Sequence, residues 1–335
     1  MPCELIAGEG CSRRVARDLL ASTRGATLSV MRSRPQSTVV SVVMATYNRA
    51  DVLRRSITSV IRQDYTDWEL IVIGDHCTDH TVDVVESFND PRVSFVNRTV
   101  NHGEQSVPNN DGIAMANGRF LAFLNHDDIW FRHHLSSCVQ TLERTGADLV
   151  AGRTVTINPG KVAVFAAPDF VRRQKLYGFR PASSWVMKRS LPDDVGKWSC
   201  AFELHHPPSV DFLMRVLDSG ADVLSLTEST LAVIPSGCRK ESYTVASNAE
   251  LEFADALLGD DPWHTIDELS AERVSGARRL RRRLFQPMKP LIAMMGQHPV
   301  AVNHRLRYPL QRRGDFIRQL RSTRGIAPNP TGVVS

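Results

Sequence analysis

One short stretch constrains the fold more than any other: an apolar run, Phe120–Leu124, that stops just before two adjacent acids, Asp127 and Asp128. A run without polar positions is the pattern of a strand buried on both faces of a sheet. Two carboxylates at its end are costly unless a cation or hydrogen bonds meet them. Ligands bind at the carboxyl ends of strands in open α/β sheets, so the pair predicts a metal and diphosphate site. The alternative is a cap on the following helix, because Asp is a favoured N-cap residue.

Three more apolar runs precede this strand, and helical spacing of apolar residues separates them. The runs are Val39–Ala45, Trp68–Ile73 and Val93–Val96. Strands that alternate with helices predict a mostly parallel sheet flanked by helices, with right-handed crossovers. The polar residues after each strand should then share one edge of the sheet, which brings Thr46, Asp75 and Asp127 together.

Composition is typical of a soluble globular protein. The 335 residues are 42% hydrophobic and 23% charged, so the chain can bury a full core. No stretch approaches 18 uninterrupted apolar residues, and the first residues lack the pattern of a secretory signal. The six cysteines are scattered and form no CxxC pair, which argues against a zinc site and a disulfide framework. We therefore expect a protein of the reducing cytoplasm.

Charge and pattern divide the chain into three parts. Residues 1–36 are expected to be a loosely ordered leader, 37–250 one α/β domain, and 251–335 a helical, basic C-terminal extension. The net charge of +5 conceals this asymmetry, because residues 273–335 carry 14 Lys and Arg against one acidic residue. A basic tail on an acidic body is not the pattern of a protein that binds nucleic acid over its whole surface.

Residues 278–295 set a basic cluster beside an apolar one. This composition is typical of a segment that lies on anionic lipid, which would place the protein at the inner face of the cell membrane. A solvated helix with its apolar side on the core fits equally well. No GxGxxG follows the first strand and no GxxxxGK[ST] occurs, which argues against a dinucleotide fold and a P-loop nucleotidase.

Three motifs together resemble the nucleotide-sugar domain of family 2 glycosyltransferases. They are SVVMATYNR, ELIVIGDHCTDHT and NNDGIAMANGRFLAFLNHDDIW, and the resemblance extends over roughly residues 38–250. It implies the Rossmann-like GT-A fold. It also implies transfer of a sugar from a nucleoside diphosphate to a carbohydrate, lipid-linked or protein acceptor, with inversion at the anomeric carbon.

The resemblance assigns the donor site by position. The residues expected to bind the nucleotide and donor sugar are Thr46, Tyr47, Asn48, Arg49, Asp75, Asn110 and Asn125. Asp75 would accept a hydrogen bond from the base, which suits the N3–H donor of uracil and so a UDP-linked sugar. Gly74 stands where the family usually has a second acid.

The family's DXD motif falls on Asn125-His126-Asp127. It implies Mg²⁺ or Mn²⁺ held by Asp127 with Asp128 beside it, and hard oxygen ligands suit both ions. Asn125 in place of the first acid leaves a weak ligand or a sugar contact. His126 faces either the phosphate or solvent.

Inverting members of the family use a carboxylate as general base. The usual Glu-Asp pair aligns with Pro208-Ser209, and Asp211 is the acid that remains in the motif, so we predict Asp211 as the base. Its alternative role is a contact with the helix dipole, and His205 and His206 are the next candidates. Arg239, in a polar loop after an apolar strand, is predicted to pair with the diphosphate.

Two other functions remain open. A sugar nucleotidyltransferase has a related architecture, although the turn after the first strand lacks a Gly-rich triphosphate loop. A catalytically impaired GT-A-like binding module would explain Asn125 and the missing Glu-Asp pair. Trp185 either stacks on a sugar ring or belongs to the core.

Overall fold

The structure is a computed structural model that describes residues 39–158, 161–165, 181–234, 239–244, 247–259 and 312–330, with Pro262 and Val302. Within these ranges the strands are β1 Val40–Thr46, β2 Trp68–Gly74, β3 Val93–Asn97, β4 Phe120–Phe123, β5 Asp128–Trp130, β6 Leu149–Asn158, β7 Lys161–Phe165, β8 Trp185–Lys188 and β9 Val223–Val233. The helices are α1 Ala50–Ile61, α2 Thr81–Glu86, α3 Ser106–Met115, α4 His134–Thr145, α5 Leu191–Val195, α6 Pro208–Asp218, α7 Asn248–Leu257 and α8 Asp315–Thr323.

All nine strands join one sheet in the order β3-β2-β1-β4-β8-β6-β9-β5, with β7 paired to β6. The first half, β3 to β4, is parallel. In the second half β8 runs antiparallel to both β4 and β6, and β5 antiparallel to β9. The predicted α/β class is confirmed, and the sheet is mixed because β8 and β5 run antiparallel to their neighbours while β6 and β9 pair in parallel.

Successive residues of β1 point into two different cores. Val40, Val42 and Met44 join one apolar cluster, and Val43 joins a second on the opposite face of the sheet. This alternation explains why the strand reads as an unbroken apolar run, since both faces are covered. Trp185 is fully buried in the second cluster, against Trp198 and Phe212, so it belongs to the core.

Helices cover both faces of the sheet. On one face α1 contributes Leu53, Ile57 and Val60, which recur at helical spacing and are fully buried. On the other face α3 lies so close to β1 that a Cβ on Gly112 would meet the side chain of Val43 at 2.3 Å. The small residue therefore brings α3, and the loop before it, onto the sheet edge where β1 ends.

The acceptor for the first amide of α1 lies in a distant turn. The helix begins at Ala50, and Asp51 lies within its first turn. The Ala50 amide instead donates to the carboxylate of Asp79, 29 residues away, at 3.2 Å. Asp79 also accepts from the amide of Thr81, so one side chain satisfies donors at the starts of both α1 and α2.

Four residues, 124–127, join β4 to β5, although three strands lie between these two in the sheet order. The chain turns there, with the Asp128 amide donating to the Asn125 carbonyl at 3.2 Å. Asp128 is therefore a strand residue, and the alternative role as a helix cap is wrong.

Parts of the predicted domain plan lie outside the described residues: the leader 1–36 and the basic segment 278–295. Helix α7 spans the predicted boundary at residue 250. Among the helices that the structure describes, none combines the length and apolar character needed to cross a membrane.

Candidate functional site

Three polar turns meet where β1, β2 and β4 end. Thr46 is in register with Gly74, and the carbonyl of Thr46 accepts the amide of Asp75 at 2.8 Å. On the other side of β1, the Leu124 amide donates to Val43 at 3.0 Å. The parallel register thus places the turns that begin at Thr46, Asp75 and Asn125 side by side, as the sequence predicted.

Asp75 is 3% exposed and holds the loop that precedes α3. Its carboxylate accepts the amides of His102 at 2.9 Å and Gly103 at 2.7 Å, and its carbonyl accepts Nδ2 of Asn101 at 2.8 Å. Arg98 Nε lies 4.0 Å from the same carboxylate. A carboxylate offers about four acceptor positions, so Asp75 can hold this loop and still accept from a ligand.

Asn48 joins the first turn to the second. Its Oδ1 accepts the amide of Thr78 at 2.7 Å, and its Nδ2 donates to the Thr78 hydroxyl at 3.1 Å. The backbone of Asn48 has a φ of 43°, a left-handed conformation that Asn tolerates better than most residues. Its amide group therefore fixes the wall of the site, a role that the sequence did not indicate.

Tyr243 forms the centre of an aromatic and cationic cluster over these turns. Its ring lies 6.3 Å from that of Tyr47 and 6.0 Å from that of His126. The guanidinium groups of Arg49 and Arg324 lie 5.0 and 5.2 Å from the Tyr243 ring, within cation–π range. The cluster contains two residues that the sequence predicted at the site, Tyr47 and Arg49. It also contains Tyr243 and Arg324, which the sequence analysis did not assign to the site.

Asp128 is 1% exposed, and its Oδ2 accepts the Ser183 hydroxyl and, at 2.9 Å, Nδ2 of Asn125. Burial, followed by the nearby charge of Asp127, raises the pKa of the Asp128 carboxyl well above its usual range. The structure thus joins Asn125 and Asp128 directly. In this arrangement Asp128 positions the turn, and Asn125 presents its amide to Asp128.

Asp127 is half-buried and lines a small crevice with Glu250 and Ile234. Arg239 reaches the same neighbourhood, with its Nε 3.0 Å from the Glu250 carboxylate. Burial lowers the pKa of His126 to about 4, so this imidazole is neutral at pH 7.

The donor set suits a hard cation. Mg²⁺ typically takes one or two protein carboxylates and completes its shell with phosphate oxygens and water. Asp127 would provide one such carboxylate, and the Asp128 carboxylate beside it is held by Ser183 and Asn125. Among the residues that the structure describes, no group of three or more His, Cys, Asp or Glu converges on one point. The arrangement therefore fits an ion shared with a diphosphate better than a site built from protein alone.

Asp211 lies in the first turn of α6 and is tied to its own helix. Its Oδ2 accepts the Ser199 hydroxyl at 2.7 Å and Nε of Arg215 at 3.0 Å. Arg215 also donates to the carbonyls of Val195 and Lys197, which fixes the pair. His206 is a neighbouring group whose pKa is lowered by burial.

Asn110 uses both ends of its amide on one residue. Oδ1 accepts the amide of Trp198 at 3.0 Å, and Nδ2 donates to the Trp198 carbonyl at 2.9 Å. Asn110 thereby holds segment 198–200, and with it Ser199 and Asp211, beside α3. The structure brings Asn110 and Asp211 into one substructure.

Glu104 is a partly buried acid that the sequence analysis did not identify. One carboxylate oxygen accepts the Ser106 amide at 2.7 Å, while the buried Oε1 has no hydrogen-bond partner among the residues that the structure describes. Burial raises the pKa of Glu104 to about 7. The local sequence predicts an ordinary surface acid at this position, because a Glu before a helix is usually exposed. Its burial arises only from the tertiary fold.

Comparison with known proteins places this architecture among sugar transferases. Residues 41–199 match the model of "Glycosyl transferase family 2". The chain is 32% identical, over 41% of its length and 54% of the relative's, to "UDP-Glc:alpha-D-GlcNAc-diphosphoundecaprenol beta-1,3-glucosyltransferase WfgD" of Escherichia coli. It is 35% identical, over 34% of its length and 36% of the relative's, to "Poly(ribitol-phosphate) beta-N-acetylglucosaminyltransferase TarP" of Staphylococcus aureus. The chain thus spans about half or less of these curated relatives.

Solved structures share the fold. The crystal structure of S. aureus TarS 1-349 in complex with UDP-GlcNAc superposes with a TM-score of 0.54, at 19% identity, over 70% of this chain and 71% of that one. The mannosyltransferase PcManGT from Pyrobaculum calidifontis, in complex with GDP-Man and Mn²⁺, gives a TM-score of 0.50 at 16% identity, over 90% and 97%. At these identities the likeness concerns the architecture alone, and it confirms the predicted fold.

Proposed function

The chain belongs to glycosyl transferase family 2, and from that premise we propose that it transfers a sugar from a nucleoside-diphosphate sugar to a glycan or lipid-linked acceptor. A protein acceptor is the third class that fits the reaction. The observation that carries the proposal is the meeting of three polar turns, after β1, β2 and β4, at one sheet edge. Such an edge is where α/β sheets bind nucleotides.

The proposed donor is linked to UDP. Asp75, fixed by the amides of His102 and Gly103, would accept a hydrogen bond from the base, and Tyr47 and Arg49 would line the pocket. Thr46 and Asn48 shape its wall. The relative WfgD is named for UDP-Glc, which supports uracil over guanine.

Mg²⁺ or Mn²⁺ would be held by Asp127, with Asp128 and Asn125 behind it as positioning residues. The ion would offset the charge of the diphosphate when bound. Arg239, now on Glu250 next to the Asp127 crevice, would add positive charge on the same side.

The proposed base is Asp211. A carboxylate there would take the proton of the acceptor hydroxyl as its oxygen attacks the anomeric carbon, and the bond from that carbon to the diphosphate oxygen would break. Attack from the face opposite the leaving group inverts the centre. The curated relatives are named for β-linked products, which supports inversion of an α-linked donor.

The proposed acceptor belongs to cell-envelope polysaccharide synthesis. The relatives' names give a diphosphoundecaprenol-linked sugar and a poly(ribitol phosphate) as acceptors. A lipid-linked acceptor would suit peripheral attachment through residues 278–295, a proposal that rests on their sequence. Binding of the full chain to vesicles with anionic lipid, against neutral vesicles, tests this attachment.

Nucleotide titration tests the function. The purified protein would be titrated by calorimetry with UDP, GDP and dTDP, with and without Mn²⁺. We expect metal-dependent binding of UDP that Asp127→Ala abolishes, whereas Asp64→Ala, which removes an exposed carboxylate, leaves it unchanged. A protein that binds none of the three nucleotides under either condition is not a transferase of this kind.

A specific observation also favours a second candidate, a binding module without turnover. The Oδ2 of Asp211 is occupied by Ser199 and Arg215, and the amide of Asn125 faces Asp128. Such a module would bind UDP-sugar without releasing UDP. Assay of UDP release, with water and with undecaprenol-linked sugars as acceptors, separates the two candidates.

A further inference from the structure

Residues 312–330, far along the chain from the family match at 41–199, contact three loops, two of which carry residues next to the candidate site, Tyr243 and Gly103. The Gly314 amide donates to the Leu204 carbonyl at 2.9 Å. The carbonyls of Thr323 and Arg324 accept the amides of Glu241 at 2.7 Å and Tyr243 at 3.1 Å. The third contact is made by Arg321, on α8.

Arg321 is 4% exposed, unusual for a residue that almost always keeps its charge in water. Its Nη1 donates to the carbonyl of Gly103 at 2.7 Å, and its Nε donates to the carbonyl of Ala327 at 2.7 Å. The Asp75 carboxylate, which is assigned to the nucleotide pocket, interacts electrostatically with the Arg321 guanidinium.

Gly103 therefore links Arg321 to Asp75, because its amide binds one of these residues and its carbonyl binds the other. The Gly103 amide donates to the Asp75 carboxylate at 2.7 Å, and the Gly103 carbonyl accepts from Arg321. Gly103 has a φ of +77°, and a Cβ there would lie 2.3 Å from the Arg321 guanidinium. A side chain at this position would thus oppose both the backbone conformation and the approach of Arg321.

We propose that the C-terminal segment 312–330 completes the donor site and that Arg321 is its positioning residue, holding the 101–103 loop against Asp75. This inference rests on the proposed donor site. The segment supplies two cations, Arg321 and Arg324, to a pocket that must attract a nucleoside diphosphate, and it fixes the backbone of Tyr243 above Tyr47. An electropositive, preformed pocket favours an anionic ligand over water.

The test compares Arg321→Ala and Arg321→Lys with Arg318→Ala in the full chain. Arg318 lies one turn earlier on α8 and interacts with Phe202 and Asp315 instead of Gly103. Because Arg321→Ala removes a charge-assisted hydrogen bond to the loop that Asp75 holds, it should weaken UDP binding about tenfold or more, and Arg318→Ala less than about twofold. Arg321→Lys, which keeps the charge and one donor, should recover part of the loss.

Amide hydrogen exchange provides a readout that needs no nucleotide. In Arg321→Ala the amides of His102 and Gly103, which donate to Asp75, should exchange faster, while those of the β1 core strand keep their protection. Unchanged exchange at these amides, or unchanged or tighter UDP binding, would overturn the inference. If the wild-type chain binds no nucleotide, the proposed function fails, and the exchange measurement still decides whether Arg321 holds the loop.

Discussion

Asn110 and Trp198 exchange two hydrogen bonds, of 3.0 and 2.9 Å, between one side-chain amide and the backbone of one residue. The pair joins α3, which follows the 101–103 loop, to segment 198–200, which positions Asp211 through Ser199. Asn110 was expected to cover the donor sugar. In the structure both ends of its amide instead bind the backbone of Trp198.

Asn110→Ala should lower the free energy of unfolding by about 2–3 kcal/mol, because it leaves two backbone groups of Trp198 without partners. Chemical denaturation measures this change, and Gln140→Ala, which removes an exposed amide on α4, serves as the control. Donor affinity should change little once the variant is folded. A large loss of donor affinity at unchanged stability would instead place Asn110 against the ligand.

Asp211→Asn should reduce turnover by about 10²–10⁴-fold, the usual contribution of a general base, while the affinity for UDP stays constant. The amide can still accept from Ser199, so the local fold is maintained. Asp218→Asn, at the exposed end of the same helix, is the matched control. If Asp211→Asn turns over normally, His206 becomes the residue to test.

Tyr243→Ala should weaken UDP binding by about tenfold, because it removes the ring that contacts Tyr47 and that both Arg49 and Arg324 approach. Tyr243→Phe keeps the ring and should bind nearly as well as the wild type. Calorimetry on the two variants separates the aromatic surface from the hydroxyl, which lies 3.4 Å from His126 Nε2. Equal losses in both variants would assign the effect to the hydroxyl and contradict this prediction.

Glu104→Gln should stabilise the protein at alkaline pH and not at acidic pH. Burial raises the pKa of Glu104 from 4.5 to about 7, so the folded state keeps a proton that the unfolded state loses. Stability is therefore lost as pH rises between about 4.5 and 7, and the loss is complete above that range. At pH 8 the variant should be more stable by about 1–3 kcal/mol, measured by denaturation. An equal difference at pH 4 and pH 8 would mean that the effect is not ionisation.

The walls of the site could be predicted from the sequence because they follow buried parallel strands. Periodicity located β1, β2 and β4, and the register then aligned Thr46 with Gly74 and placed Asp75 next to both. The position of a residue in the sequence motif did not predict which group its side chain binds. Asn48, Asn110 and Asn125 were expected at a ligand, and in the structure their amides bind Thr78, Trp198 and Asp128.

The remaining parts depend on contacts between distant positions, which local patterns do not encode. The first amide of α1 donates to the carboxylate of Asp79 and not to that of the neighbouring Asp51. Arg321 meets Gly103 across 218 positions. An arginine in a basic segment has no local feature that distinguishes it from its solvent-exposed neighbours.

The short connection between β4 and β5 limits how flat the sheet can be. Adjacent strands lie about 4.8 Å apart, so four steps across a flat sheet would separate β4 and β5 by roughly 19 Å. The five residue steps from Phe123 to Asp128 span at most about 18 Å when fully extended. This connection is a hydrogen-bonded turn, not an extended chain, so the two strands can be joined only if the sheet curves toward closure. The turn that carries Asp127 therefore has a fixed length, and one added or deleted residue would change the curvature of the whole sheet as well as the position of its carboxylate.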